Sequence, residues 1–165
     1  RSNESFRAKL ANVITTTKSS GRYVDCPSIN FDRLKVLIRS SVRKYKLKGV
    51  ILDYMQIVTG KNKGESEAEF QGRVAQDLAT IAKQEDIFIL TAAQLNRDGQ
   101  LRGSDGIKNA VDQLYFMHKP TSDYYKNCRY LTMEASRYTV QDDVGDDNDP
   151  ALEIDNSPYL INRRK

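Results

Sequence analysis

Apolar residues recur along this chain in two rhythms. From Phe31 to about Lys46, the residues Leu34, Leu37, Ile38, Val42 and Tyr45 fall at helical spacing with Asn30 ahead of them as an N-cap, which predicts an amphipathic helix. Its other face is basic, with Arg33, Lys35, Arg39, Arg43, Lys44 and Lys46. Ser66 and Glu69 have capping-box spacing and open a second helix to about Lys83, with Phe70, Val74, Leu78 and Ile81 on the buried side. Two continuous apolar runs, Val50 to Asp53 and Ile87 to Gln94, are too short for helices and end in polar residues, so they read as strands.

Weaker patterns complete the reading. Residues 1–20 form a lead-in helix or frayed segment through Phe6, Leu10, Val13 and Ile14, and Arg22 to Cys26 is a short strand candidate stopped by Pro27. After a loop from Asn96 to Gly106 come a short helical turn, a strand from Gln113 to Met117, and two strands near Tyr130–Ala135 and Leu152–Asp155. Strands alternating with helices, the central strands apolar on both faces, predict an α/β fold: a mainly parallel central sheet flanked by helices, with antiparallel strands toward the C-terminus. No internal repeat interrupts residues 1–165, which read as a single domain.

Composition changes this picture in three places. No apolar run approaches the roughly 20 residues of a membrane span, and the N-terminal RSNESFRAKL lacks the pattern of a signal peptide, so a soluble cytoplasmic protein is expected. Cys26 and Cys128 have no metal-ligand spacing and read as structural thiols. The net charge is +4, yet Asp142, Asp143, Asp146, Asp147 and Asp149 concentrate negative charge in one segment. The remainder is more basic than the total suggests, which is compatible with a polyanionic partner and equally with solvated helices. The aspartates lack the spacing of a calcium loop and read as a solvated turn. His118 has no partner at a recognisable spacing and takes no catalytic role, while Tyr124, Tyr125 and Tyr130 fit base stacking and plain packing equally well.

The chemistry concentrates at strand ends. Successive parallel strands joined by crossovers place their C-termini on one edge of the sheet, so Asp53 and Gln94 are expected together at the edge where open α/β sheets bind ligands. A carboxylate there can hold a hydrated Mg²⁺ on a nucleotide phosphate, and a neutral glutamine can hydrogen-bond a γ-phosphate or a water. Taken singly, Asp53 equally fits the N-cap of a turn and Gln94 a polar strand end.

The pieces VILDYMQIV, ILTAAQLNR and LRGSDGIKNAVDQLYFM, in that order, resemble the C-terminal ATPase domain of the DnaB-type replicative hexameric helicases, from about Arg22 to the end. The resemblance implies a RecA-like fold, ATP with Mg²⁺ as cofactors, single-stranded DNA, a ring of identical subunits, and a primase or helicase loader as partners, in a bacterial or phage-infected cell. By it, Asp53 is similar to the Walker B acid on Mg²⁺, and Gln94 to the residue coupling the γ-phosphate to DNA binding, with Asn96 and Arg97 completing the motif. Arg102, Gly103, Ser104 and Gly106 are similar to the loop facing the central channel, where small residues let the backbone approach a DNA phosphate. Lys61 and Lys63, after the Walker B strand, would add phosphate contacts, though a plain solvated loop fits them as well. Arg137 matches the family's arginine finger, which reaches the neighbouring subunit's nucleotide; the plainer reading is a strand-edge arginine paired with an acid.

The sequence also departs from the family. Ala135 stands where a first basic residue belongs, and Gly103 and Asp105 replace a glutamate and a glycine. The phosphate-binding pattern G-x-x-x-x-G-K-[ST] occurs nowhere; TGKNKGES has the residue types in another order and follows Asp53 instead of preceding it. The expectation is an N-terminally truncated motor domain whose phosphate loop lies upstream of Arg1, so that this chain alone does not hydrolyse ATP. The alternative is a RecA-like DNA-binding or assembly module without a phosphate loop.

Overall fold

The computed structural model describes residues 21–96, 99, 101, 104–140, 142–154 and 161–163; the lead-in segment 1–20 lies outside them. The chain divides into two compact units, residues 1–102 and 103–165.

The first unit runs β1 (Ile29–Asn30), α1 (Phe31–Tyr45), β2 (Gly49–Leu52), a 3-10 turn (Met55–Ile57), β3 (Val58–Thr59), α2 (Glu67–Glu85) and β4 (Phe88–Thr91). β1 pairs in parallel with β3, and β2 in parallel with β4, in the register Gly49↔Phe88 to Leu52↔Thr91. Both helices start where the sequence places them. The Asn30 side chain accepts from the N–H groups of Asp32 and Arg33, and Ser66 with Glu69 forms a complete capping box. Each ends in a left-handed residue, Lys46 and Asp86, whose N–H closes the last turn.

The core of this unit is the meeting of α1 and α2. Phe31, Leu34, Ile38 and Val42 of α1 and Phe70, Val74, Leu78 and Ile81 of α2 are buried with Leu52, Met55 and Val58, and Phe31 meets Phe70 edge-on with centroids 6.4 Å apart. Such side chains contribute about 1.5–3 kcal/mol each on burial, so the two helices carry most of the unit's stabilisation. The basic face of α1 does not stand free. Arg43 donates to Glu85 at 2.8 Å, Arg39 lies 3.7 Å from the same carboxylate, and Lys35 joins Asp32 and Asp77. These contacts neutralise much of the positive charge within the fold.

Two expectations change here. Arg22–Cys26 is not a strand: Tyr23 and Val24 are exposed, no described residue pairs with the segment, and the first strand forms at Ile29–Asn30, where Val58–Thr59 supplies a ladder. Extended backbone becomes a strand only with a partner for its N–H and C=O groups. Nor is the β2–β4 pair buried on both faces, since Ile51 is 71% exposed and Phe88 and Leu90 are each 60% exposed. The Phe88 ring lies across Gly49, where an added Cβ would come within 2.1 Å of the ring's outer edge and would require the exposed ring to swing aside.

The second unit comprises α3 (Ser104–Ala110), β5 (Gln113–His118), a 3-10 turn (Asp123–Tyr125), β6 (Cys128–Ser136), β7 (Leu152–Ile154) and β8 (Ile161–Arg163), the strands forming one antiparallel sheet in the order β5-β6-β7-β8. The strands toward the C-terminus are thus antiparallel, and β8 adds one that the sequence pattern does not predict. The expected loop from Asn96 to Gly106 ends early, because Ser104 and Gly106 belong to α3. Ile107, Ala110, Cys128 and Met133 form the buried centre. His118 stacks on Tyr130 at 4.8 Å and bonds Thr132 Oγ1 at 2.8 Å, a packing role.

The acidic segment is a built turn. Asp146 accepts from the N–H groups of Asn148 and Asp149, Asp147 from the N–H and hydroxyl of Thr121, and Asp143 from the N–H of Met133. No cluster of metal-ligating side chains occurs among the described residues.

One buried group is out of balance: Gln71 on α2 is 2% exposed, its Nε2 donates to Glu67 at 3.3 Å, and its Oε1 has no hydrogen-bond partner among the described residues. Opposite effects are therefore expected one residue apart on α2. Phe70→Ala should lower stability by about 3–5 kcal/mol, whereas Gln71→Met, which removes the orphaned acceptor, should be neutral or stabilise by up to about 1 kcal/mol. Urea denaturation of both variants beside the parent measures this.

Candidate functional site

The parallel pairing of β2 with β4 brings Asp53 and Gln94 to one end of the sheet. The ladder closes at Leu52↔Thr91, where the Thr91 hydroxyl adds a bond to the Leu52 carbonyl at 2.8 Å. Beyond it the two chains remain joined for three further residues. The Met55 N–H donates to the Ala92 carbonyl at 3.0 Å, the Gln94 N–H donates to Gln56 Oε1 at 3.3 Å, and Gln56 Nε2 donates to the Gln94 carbonyl at 3.4 Å.

Asp53 sits on the first residue past β2, exposed and without an ion pair among the described residues; its peptide bond to Tyr54 is cis. A single accessible carboxylate at a strand end suits a cation that keeps most of its waters and takes its remaining ligands from a substrate phosphate. Mg²⁺ binds in that way. A closed site of three or more protein ligands would suit a structural metal, and none is present among the described residues. The Gln94 side chain is exposed at the same end. The chain then turns back at once, since Leu95 and Leu101 form an antiparallel bridge and the Gly99 N–H donates to the Asn96 carbonyl. Arg97, Arg102 and Gly103 lie outside the described residues. Ser104 and Gly106 stand in the first turn of α3.

The loop after β3 is more ordered than its composition suggests. Glu65 pairs with Arg73 through two bonds of 2.8 Å and accepts from the Asn62 N–H at 2.7 Å, while Arg73 also donates to the Gly60 carbonyl. The Arg73 bonds first and the Asn62 N–H next hold the Glu65 carboxyl down to about 2. Lys61 reaches Glu67 at 3.8 Å, and Lys63 is exposed at the loop's tip. Gly60 and Gly64 carry φ values of 114° and 83°, which the loop's tight course requires.

In the second unit, Arg137 follows β6 directly. Its guanidinium donates to the Asn109 carbonyl and lies 3.8 Å from Asp112, and its N–H donates to the Asp112 carbonyl. Neighbouring Glu134 is paired with Lys108. Arg137 therefore has an acid beside it, as the plainer sequence reading holds, on contacts that a stronger anion could displace.

The DnaB-like helicase C terminal domain family matches residues 2–141. The chain belongs to this family. The replicative DNA helicase DnaB of Rickettsia prowazekii (strain Madrid E) is 30% identical over 78 residues, 47% of this chain and 16% of that protein. The chain thus spans about a sixth of that relative's length. Among solved structures, an ATPase domain superposes with a TM-score of 0.70 at 18% identity, covering 86% of this chain and 54% of that one. A DnaB-like replicative helicase, described with its interactions with primase, superposes with a TM-score of 0.62 at 20% identity, covering 73% of this chain and 33% of that one. These likenesses show the fold of this DnaB-like domain.

The sequence reading did not assign roles to Gln56, Glu65 or Arg73. Gln56 was visible in D-Y-x-Q, but only the fold shows which main chain it meets; Glu65 and Arg73 are eight residues apart across a turn and a helix start, so no helical spacing signals the pair. The pH dependence follows from Glu65. Its folded value is depressed, so its contribution is present above the ordinary carboxylate range near 4.5 and is lost as pH falls toward about 2. Glu65→Gln should therefore be less stable than the parent at pH 6, and the gap should close as pH approaches 2.5, as read by thermal unfolding across that range.

Proposed function

We propose that this chain is the distal part of the RecA-like ATP-dependent motor domain of a replicative DNA helicase, working in a ring on single-stranded DNA. The single observation that carries the reading is the end of the β2–β4 ladder, which sets the exposed Asp53 beside the Gln94 turn on a fold of the DnaB-like family. In this reading Asp53 holds Mg²⁺ through its carboxylate, and the bound ion supplies charge neutralisation at the nucleotide phosphates.

Gln94 offers a neutral amide to the terminal phosphate or the attacking water, and the short turn behind it links that contact to the segment 97–106. By the family resemblance, Arg97, Arg102, Gly103, Ser104 and Gly106 are assigned to contacts with DNA phosphates, and Lys61 and Lys63 are candidates for further ones. Contacts of this kind position a strand without reading its bases, as a translocating motor needs. Arg137 exchanges its Asn109 and Asp112 contacts for the nucleotide of an adjacent subunit, where it stabilises charge in the transition state. The ring is hexameric in this reading, with a primase or loader among its partners. The pattern G-x-x-x-x-G-K-[ST] does not occur in residues 1–165, so the reading is tested on the complete, assembled protein.

The test is ATP hydrolysis by the protein expressed from its complete reading frame, with and without single-stranded DNA. DNA-stimulated turnover is expected. Asp53→Asn should reduce kcat at least about 10²-fold, and Arg137→Ala should do so without weakening ATP binding to a comparable degree. DNA binding with no turnover in the complete protein would favour a binding or assembly module instead.

A further inference from the structure

We infer that Gln56 is a positioning residue, whose side-chain amide clamps the Gln94 main chain to the Asp53 end of β2 so that these two groups hold a fixed spacing. This rests on the reading of Asp53 and Gln94 given above. Main-chain pairing of the two strands stops because residues Met55–Ile57 turn into a 3-10 helix, and only the Met55 N–H still finds a carbonyl on the other chain, that of Ala92. At Gln94 both main-chain groups would then lack the partner that a longer β2 would have given them. The Gln56 amide supplies it, accepting from the Gln94 N–H and donating to the Gln94 carbonyl.

An uncharged carboxamide can do both at once because it carries an acceptor and a donor on one planar group. Without it, Gln94 would be tied to β4 only through Ala92 and Ala93, whose methyl groups offer little packing. The two bonds, at 3.3 and 3.4 Å, are longer than the usual 2.7–3.2 Å range, so the clamp is weak enough to adjust when Gln94 engages a ligand. Asp53 lies three residues before Gln56, just ahead of the 3-10 turn, so the clamp ties the Gln94 main chain to the segment that carries the carboxylate.

The experiment uses the protein from its complete reading frame and two substitutions. Gln56→Met keeps length and volume and removes both bonds, whereas Gln56→Glu keeps an acceptor for the Gln94 N–H. With Gln56→Met, kcat in the presence of single-stranded DNA should fall about tenfold while KM for ATP stays within about threefold, with Gln56→Glu intermediate. The melting temperature should move by less than about 4 °C. Gln94→Ala combined with Gln56→Met should lose no more than Gln94→Ala alone, because both act through one group.

Independently of turnover, hydrogen exchange at the Gln94 amide should speed up about tenfold in Gln56→Met. Unchanged exchange at Gln94, or losses that simply add in the double variant, would overturn the inference. Asp53→Asn separates the two failures. If it abolishes turnover while Gln56→Met matches the parent, the positioning role falls and the motor reading stands; if Asp53→Asn turns over normally, the motor reading itself has failed.

Discussion

Everything at the candidate site depends on the parallel register of two four-residue strands. Gly49–Leu52 and Phe88–Thr91 pair so that Leu52 faces Thr91, and the residues that follow each strand leave the sheet at the same end. Parallel pairing requires a long crossover, and here the connection contains α2, whose buried face packs on α1. The register is therefore held from outside the strands, by Phe31 against Phe70 and by the ion pairs that Glu85 and Asp77 make with α1. The Phe88 ring covers Gly49 at the opposite end of the ladder.

The same geometry separates rigid from adjustable parts. The ladder and the Thr91 hydroxyl bond are short and regular, whereas the last connection, through Gln56, is long and made by a side chain. On the neighbouring loop, Arg73 and Glu65 secure the backbone while leaving the Lys63 side chain exposed. Fixed backbone with accessible polar side chains is the combination a nucleotide and phosphate site requires. Arg137 in the second unit is held instead by a carbonyl and an acid, partners that neutralise it until another anion competes.

Charge looks different in the folded chain than in the sequence. The basic residues outside the acidic segment fit a polyanionic partner and solvated helices equally well, and on α1 Lys35, Arg39 and Arg43 pair with acids of α2. The five aspartates read as a solvated turn, and in the fold Asp143, Asp146 and Asp147 accept from main-chain N–H groups. In both cases local composition was plain and the partner was remote in sequence or set by a turn.

The helices were legible in the sequence because their causes are local: Asn30 and the Ser66–Glu69 box start them, and side-chain periodicity decides which face is buried. Asp53, one residue past β2, was legible for the same reason, since an apolar run that stops at a polar residue needs only its neighbours to be read; the run Ile87 to Gln94 was read as one strand, whereas β4 stops at Thr91 and Gln94 lies three residues beyond it. Tertiary structure alone decided that Arg22–Cys26 forms no strand, that Ile29–Asn30 does, and that Ser104 and Gly106 belong to a helix, because pairing and packing depend on residues far along the chain. It also decided which main chain the Gln56 side chain meets. A side chain's hydrogen-bond partner thirty-eight residues away is a fact of register, and register is not written in any short stretch of sequence.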